Sequence, residues 1–197
     1  RGAYNKAYKL SEKAVNLDIA MRLGRELKKN GYRVSFSRTT DEFIELDDRP
    51  KKANARRADL FVSVHCNAAS PSISGIETFA LTPRSMPSTT SATISRSDHV
   101  AYNGHQNDGW NQLLAYYIQR ALHYSTRSND RGVKRARFAV LKSPTMPATL
   151  VECGFISNNA ECRNLATAAY RQKIAETIAA AIMTYHRTLR RLAVKNS

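Results

Sequence analysis

Apolar residues recur at every fourth position from Val15 through Ile19 and Leu23 to Leu27, with Ala20 beside the stripe. That period predicts an amphipathic helix over 11–29, begun by Ser11 as N-cap and stopped at Asn30-Gly31. The period then changes. Tyr32, Val34 and Phe36 alternate with Arg33, Ser35 and Ser37, which predicts a half-buried strand over 32–39. Asp47, Asp48 and Pro50 carry the chemistry of a helix start, so a second helix is expected to run to about Arg57. Residues 60–65 (LFVSVH) form a nearly continuous apolar run, the mark of a strand covered on both faces. A short strand is expected over 75–81 (GIETFAL). From 83 to 108 Ser, Thr, Pro and Asn dominate and periodicity disappears; an unstructured stretch this long inside a domain reads as a functional or mobile loop. Beyond it the pattern predicts a helix over 111–124 and a basic loop holding Arg131, Lys134, Arg135 and Arg137. Strands over 138–141 and 148–152 follow, then a last helix over 167–192 with Ile174, Ile178, Ile182 and Tyr185 inward.

Strands alternating with helices predict an α/β fold: a mostly parallel twisted sheet with helices on both faces, one domain over 1–192 and a frayed tail over 193–197. A chain of 197 residues buries enough surface to fold without a metal or disulfide scaffold. Its 42% hydrophobic and 24% charged content excludes global disorder. No apolar run approaches the ~18 residues of a membrane span. No charged-then-apolar leader precedes Arg1, so the chain reads as a mature or excised piece.

Lys and Arg number 31 against 16 Asp and Glu, a formal charge of +15. Such a balance implies an anionic partner: nucleic acid, a membrane surface, or an acidic polymer such as a cell wall. Arg49, Lys51, Lys52, Arg56 and Arg57 form one basic cluster, and Arg187, Arg190 and Arg191 another. Nucleic acid finds little motif support, with no RNA-recognition sequence, no zinc-finger spacing and a single Trp. Cys66, Cys153 and Cys162 offer no CxxC, which removes zinc ribbons and thioredoxin-type chemistry.

Chemistry in α/β proteins sits at strand ends, and two strand ends stand out. One apolar run ends in His65, the other in Glu152. Read alone, His65 fits a structural hydrogen-bonding group as well as a metal ligand, and Glu152 fits a cap or ion-pair partner as well as a catalytic carboxylate. Glu12, in the first turn of a helix, is favoured there by the dipole in any case.

Read together, these segments change the balance. LSEKAVNLDIA at 10–20, GYRVSFSRTTDEFIEL at 31–46, RPKKAN at 49–54, ADLFVSVHCNA at 58–68, GIETFAL at 75–81, RGVKRARFAVL at 131–141 and PATLVECGFISNNAE at 147–161 resemble, in order and spacing, the zinc-dependent N-acetylmuramoyl-L-alanine amidases with an amidase_3-type catalytic domain. The resemblance implies a bacterial cell-wall hydrolase, periplasmic or secreted, that cuts the amide between N-acetylmuramic acid and L-alanine in peptidoglycan. It implies Zn2+ as cofactor, Glu12 and His65 as zinc ligands, and Glu152 as the catalytic carboxylate. It also implies a further histidine ligand on a first strand, in a His-Gly-Gly motif, expected upstream of residue 1. His99, His105, His123 and His186 do not match that motif, although His99 or His105, on the long loop, offer a substitute. In some members the segment matching 83–108 carries a helix that blocks the zinc until a protein activator displaces it; lacking a helical stripe here, it is expected to be a mobile substrate-side loop. Cys66 and Cys153, one residue past the site residues, should point away from the metal, as buried thiols or as a disulfide. The alternatives are a non-catalytic wall-binding or regulatory domain of the same fold, and a basic nucleic-acid-binding module.

Overall fold

The computed structural model describes residues 2–91 and 93–195. A small antiparallel hairpin, β1 (Tyr4–Asn5) and β2 (Leu10–Ser11), leads directly into α1 (Glu12–Lys29), with Ser11 at its N-cap. Then come α2 (Asp48–Ala55), β3 (Phe61–Asn67) and β4 (Ile76–Leu81). An insert with two short 3-10 turns, Arg96–His99 and Asn103–Asn107, separates β4 from α3 (Asp108–Thr126). The chain closes with β5 (Asp130–Ala136), α4 (Ala139–Lys142), β6 (Ala148–Phe155), α5 (Asn159–Leu165) and α6 (Ala168–Lys195). No helix is long and apolar enough to cross a membrane.

The main sheet runs in the order β3-β6-β4-β5. β3 pairs parallel with β6, and β4 with β5, while β4 and β6 are antiparallel. The sheet is thus mostly parallel, as the pattern predicts. Its two faces are chemically different. Val62, Val64 and Cys66 of β3, Val151 and Cys153 of β6 and Ile76 of β4 join α1, α3 and α6 in the main core, with Ile19, Ile118, Leu122, Ile174 and Ile178. Each such fully buried aliphatic side chain contributes roughly 1.5–3 kcal/mol of transfer free energy. Because successive side chains on a strand alternate, Ser63, His65, Glu77 and Glu152 lie on the other face. There a smaller cluster of Phe79, Leu81, Val140, Leu141 and Leu150 is covered by α4 and by Tyr102 of the insert.

Four local expectations change. Residues 131–137 are not a basic loop: most of them lie in β5, an edge strand whose polar side chains hide its period. Residues 138–141 are not a strand, since Phe138 caps the single turn of α4; a short apolar run cannot separate the two. α5 and the β1–β2 hairpin carry too few residues for a period to show.

The fourth is the segment 32–36. Its alternation of half-buried and exposed positions is real, and Tyr32 and Val34 pack on the main core. It joins no ladder among the described residues. Across from it stands β3, the end strand of the sheet. Between them runs a groove of about 400 Å³ lined by Leu23, Val34, Phe36, Val62 and Val64. A second hollow of about 270 Å³ shares part of that lining and reaches Glu12 and His65.

The insert is rooted at the end of β4 remote from Glu77, about 13 Å along the strand, against the substrate-side position expected for it. It is also tethered: Arg137 donates to the Pro83 and Met86 carbonyls at 3.0 and 2.6 Å and pairs with Asp98 at 3.1 Å.

Candidate active site

Strand register assembles the site. His65 of β3 lies opposite Glu152 of β6, and Glu152 lies opposite Glu77 of β4, so three ionisable side chains form one row across the sheet. α1 starts at the edge of this row, and its first residue completes it: Glu12 Oε1 lies 3.0 Å from His65 Nδ1. The sequence-predicted residues Glu12, His65 and Glu152 therefore converge on one face.

Glu12 is held on every side. Its Oε2 accepts the Ala3 N–H at 3.0 Å, and its Oε1 accepts from Asn16 Nδ2 at 3.0 Å. Burial alone would raise its pKa, but the His65 bond, the Ala3 N–H and Asn16 outweigh it and bring the carboxyl down to about 2. An ionised Glu12 only accepts, so His65 Nδ1 donates in this contact, while Nε2 lies 3.1 Å from Ser63 Oγ. Gly2 passes so close that a Cβ there would stand 2.8 Å from Glu12 Oε2. A side chain at that position would push the Glu12 carboxylate out of place.

Glu152 is the opposite case. It is buried, its Oε2 has no hydrogen-bond partner among the described residues, and burial with the charges of Glu12 and Glu77 pushes its pKa up to about 8. Neighbouring carboxyls whose environments drive them apart in this way mark acid–base chemistry.

Glu77 escaped the sequence reading. It is buried and accepts from Asn67 Nδ2 at 2.6 Å, from Arg131 Nε at 2.9 Å and from Lys134 Nζ. The available signal was an acidic residue inside the apolar run GIETFAL, followed downstream by the basic run RGVKR. Glu161 is a second omission. Its two oxygens accept the Gly75 N–H at 2.9 Å and the Phe155 N–H at 2.7 Å. It bridges β4 and β6 just beyond Glu77–Glu152, the last pair of their ladder.

The remaining histidines stay apart from the row. His105 is bonded to the Tyr102 N–H and the Thr82 carbonyl, His99 to Ser85, His123 to the Ser128 carbonyl and His186 to Tyr32. Neither His99 nor His105 substitutes for a ligand beside Glu12 and His65. Cys66, Cys153 and Cys162 are buried free thiols. Cys66 and Cys153 face the helices, away from Glu12, and burial raises their pKa values.

A carboxylate and an imidazole in contact are donors of the kind zinc prefers, and the unpartnered Glu152 Oε2 nearby is an acceptor of the kind its chemistry requires. Among the described residues no group of three or more His, Cys, Asp or Glu side chains is placed to hold a metal. The residues present thus fit zinc in kind and supply two protein donors.

Comparison with known proteins gives the family and the fold. The family described as Amidase_3, N-acetylmuramoyl-L-alanine amidase, matches residues 1–184. The chain is 37% identical over 179 residues to the N-acetylmuramoyl-L-alanine amidase LytC of Bacillus subtilis (strain 168), covering 90% of this chain and 32% of LytC. It spans about a third of that relative's length. Its fold is similar to the crystal structure of an N-acetylmuramoyl-L-alanine amidase from Clostridium difficile 630, with TM-score 0.79 and 31% identity over 94% of this chain and 89% of that one. It also resembles the CwlD amidase from Clostridioides difficile, solved in complex with the GerS lipoprotein, with TM-score 0.78 and 27% identity over 95% and 92% of the two chains. With the motif order, the sheet and the carboxylate–histidine row in agreement, the chain belongs to the Amidase_3 family of N-acetylmuramoyl-L-alanine amidases.

Proposed function

We propose that this chain is the catalytic domain of a zinc-dependent hydrolase that cleaves the amide between N-acetylmuramic acid and L-alanine in peptidoglycan, acting at the bacterial cell wall outside the cytoplasmic membrane. The observation that carries the reading is Glu152: a buried carboxyl with an unpartnered oxygen, in register between His65 and Glu77.

Glu12 and His65 would hold the metal, whose Lewis acidity acts on the scissile carbonyl and on water. Glu152 accepts the proton of the attacking water and returns it to the alanine nitrogen as the amide breaks. A pKa raised toward neutrality suits a group that must both take and give that proton. Glu77, neutralised by Arg131 and Lys134, keeps a fixed negative charge on the far side of Glu152. The third donor in this reading is a histidine on a strand ahead of residue 1. The groove between 32–36 and β3 supports it, because it offers an apolar slot beside an unpaired strand edge and opens next to Glu12. Since CwlD was solved with a lipoprotein, a protein activator belongs to the proposal as well.

Digestion of purified sacculi tests it. Free stem peptides should appear, a chelator should stop their release, and Glu152→Gln should abolish turnover while zinc content stays unchanged. His65→Ala should lower the zinc content itself. A chain extended through the upstream histidine should bind more zinc than residues 1–197 alone; equal zinc and equal turnover in both would sink the upstream ligand.

A further inference from the structure

The outer face of α3 departs from the mixed-charge surface expected of a solvated helix. Tyr116, Arg120, Tyr124 and Arg127 recur at three- and four-residue spacing, with Trp110 six residues ahead of Tyr116, and Trp110, Tyr116 and Tyr124 are 42%, 47% and 70% exposed. Arg120 ties the stripe together. Its Nη1 lies 3.4 Å from the Tyr116 hydroxyl, and its guanidinium sits 5.8 Å from the Tyr124 ring centre. From Trp110 to Tyr124 the ladder is about 21 Å long at the helical rise.

The C-terminal half of α6 flanks it. The Tyr117 hydroxyl meets Thr188 Oγ1 at 2.9 Å, and Thr177 meets Ser125 at 2.8 Å, so the two helices run antiparallel. One turn beyond Thr188 come Arg191 and Leu192. Across 109–127 and 177–195 the sequence holds Arg120, Arg127, Arg187, Arg190, Arg191 and Lys195 and not one Asp or Glu. The exposed side of α3 is aromatic and basic. It lies on the helix-covered side of the sheet, opposite the row of His65, Glu77 and Glu152.

We propose that the α3–α6 face is a second binding surface, which holds a glycan strand of the peptidoglycan polymer while the row on the other face works on a stem peptide. The proposal rests on the amidase reading for the identity of the polymer. Tyr and Trp offer flat faces to the C–H surfaces of sugar rings and polar edges to their hydroxyls. The arginines match the carboxylates that the polymer carries. Exposed Trp, Tyr and Arg together are also the composition of binding hot spots, and no apolar pocket for a protein side chain is needed.

The test uses the triple variant Trp110→Ala/Tyr116→Ala/Tyr124→Ala and the pair Arg120→Gln/Arg127→Gln, each measured two ways. Co-sedimentation with purified sacculi should weaken about tenfold or more in the triple variant, and the pair should lose the salt-sensitive part of binding. Turnover of a soluble muramoyl-peptide should stay within about twofold of the parent. Should the triple variant unfold, the arginine pair alone decides. Sedimentation unchanged in the variants overturns the proposal. So does an unchanged sacculus affinity with loss of binding to a single-stranded oligonucleotide, which would make the face a nucleic-acid surface. If a zinc-loaded parent extended through the upstream histidine fails to turn over the soluble substrate, the amidase reading falls, while weakened sedimentation of the variants still upholds the surface.

Discussion

Replacing the proposed catalytic carboxylate should make this protein more stable, with a pH dependence of fixed sign. Glu152 is pushed from an ordinary 4.5 to about 8 by burial and by the charges of Glu12 and Glu77. A folded-state pKa above the unfolded one means that folding favours the protonated form. The group's stabilising contribution is therefore complete below about pH 4.5 and is lost as pH rises toward about 8. At neutral pH the unfolded chain has ionised this group and the folded chain has mostly not. About 2.5 pH units at 1.36 kcal/mol each put the cost near 3 kcal/mol. Glu152→Gln removes the titration. Its carboxamide brings two buried donors of its own, which returns part of the gain, so about 2 kcal/mol should remain. Urea unfolding of metal-free protein at about pH 4, 7 and 8.5 measures this. The variant should be weaker than the parent by about 1 kcal/mol at the lowest pH, where only the carboxamide penalty remains, and overtake it as pH rises, while showing no turnover on sacculi. A difference that does not change with pH, or a variant weaker than the parent throughout, would refute the assignment of Glu152 as a buried, electrostatically opposed carboxyl.

Tyr185 is fully buried and its hydroxyl has no partner among the described residues, so Tyr185→Phe should stabilise the fold by about 1 kcal/mol, a rise of about 2–4 °C in Tm; a fall of that size would mean that the hydroxyl is satisfied. Arg137→Ala removes the bonds that hold Pro83, Met86 and Asp98 and should speed limited proteolysis within 84–99 severalfold, with unfolding elsewhere unaltered. Equal cleavage rates would show that the insert is held by something else.

How far the site was legible from sequence follows from what each residue must do locally. α1, α3 and α6 announce themselves because each has one face to bury and enough residues to show a period, α2 by the Asp and Pro at its start, and β3, β4 and β6 by short apolar runs. Glu12, His65 and Glu152 are individually ambiguous, and a helix start or a strand end explains each without chemistry. Their ordered context made them a set, and register then brought them together. Glu77 stayed hidden because its partners, Asn67, Arg131 and Lys134, are spread over 67 to 134 in the chain and meet only through the order β3-β6-β4-β5. β5 was missed for the same reason: a polar edge strand is defined by what it pairs with. The segment 32–36 is the instructive inverse. Its alternation predicted a strand correctly in every respect that concerns side chains, and the ladder is missing because β3, the neighbouring strand edge, lies across a groove.

That groove and the charge row belong to one design problem. An ionised Glu12, a pKa-raised Glu152 and an ionised Glu77 stand side by side, and only Glu77 has cations of its own in Arg131 and Lys134. Glu12 is stabilised instead by His65, a backbone N–H and Asn16, and Glu152 by protonation. Carboxylates crowded in one buried row are costly in any fold, and of the three only Glu12 lines the hollow beside the groove. The hairpin β1–β2 brings Gly2 and Ala3 against Glu12 and so directs the N-terminal chain to the same place. Burial is the first cause of the raised Glu152 pKa, and the charges of Glu12 and Glu77 add to it, so a cation bound between Glu12 and His65 would offset the contribution of Glu12 alone.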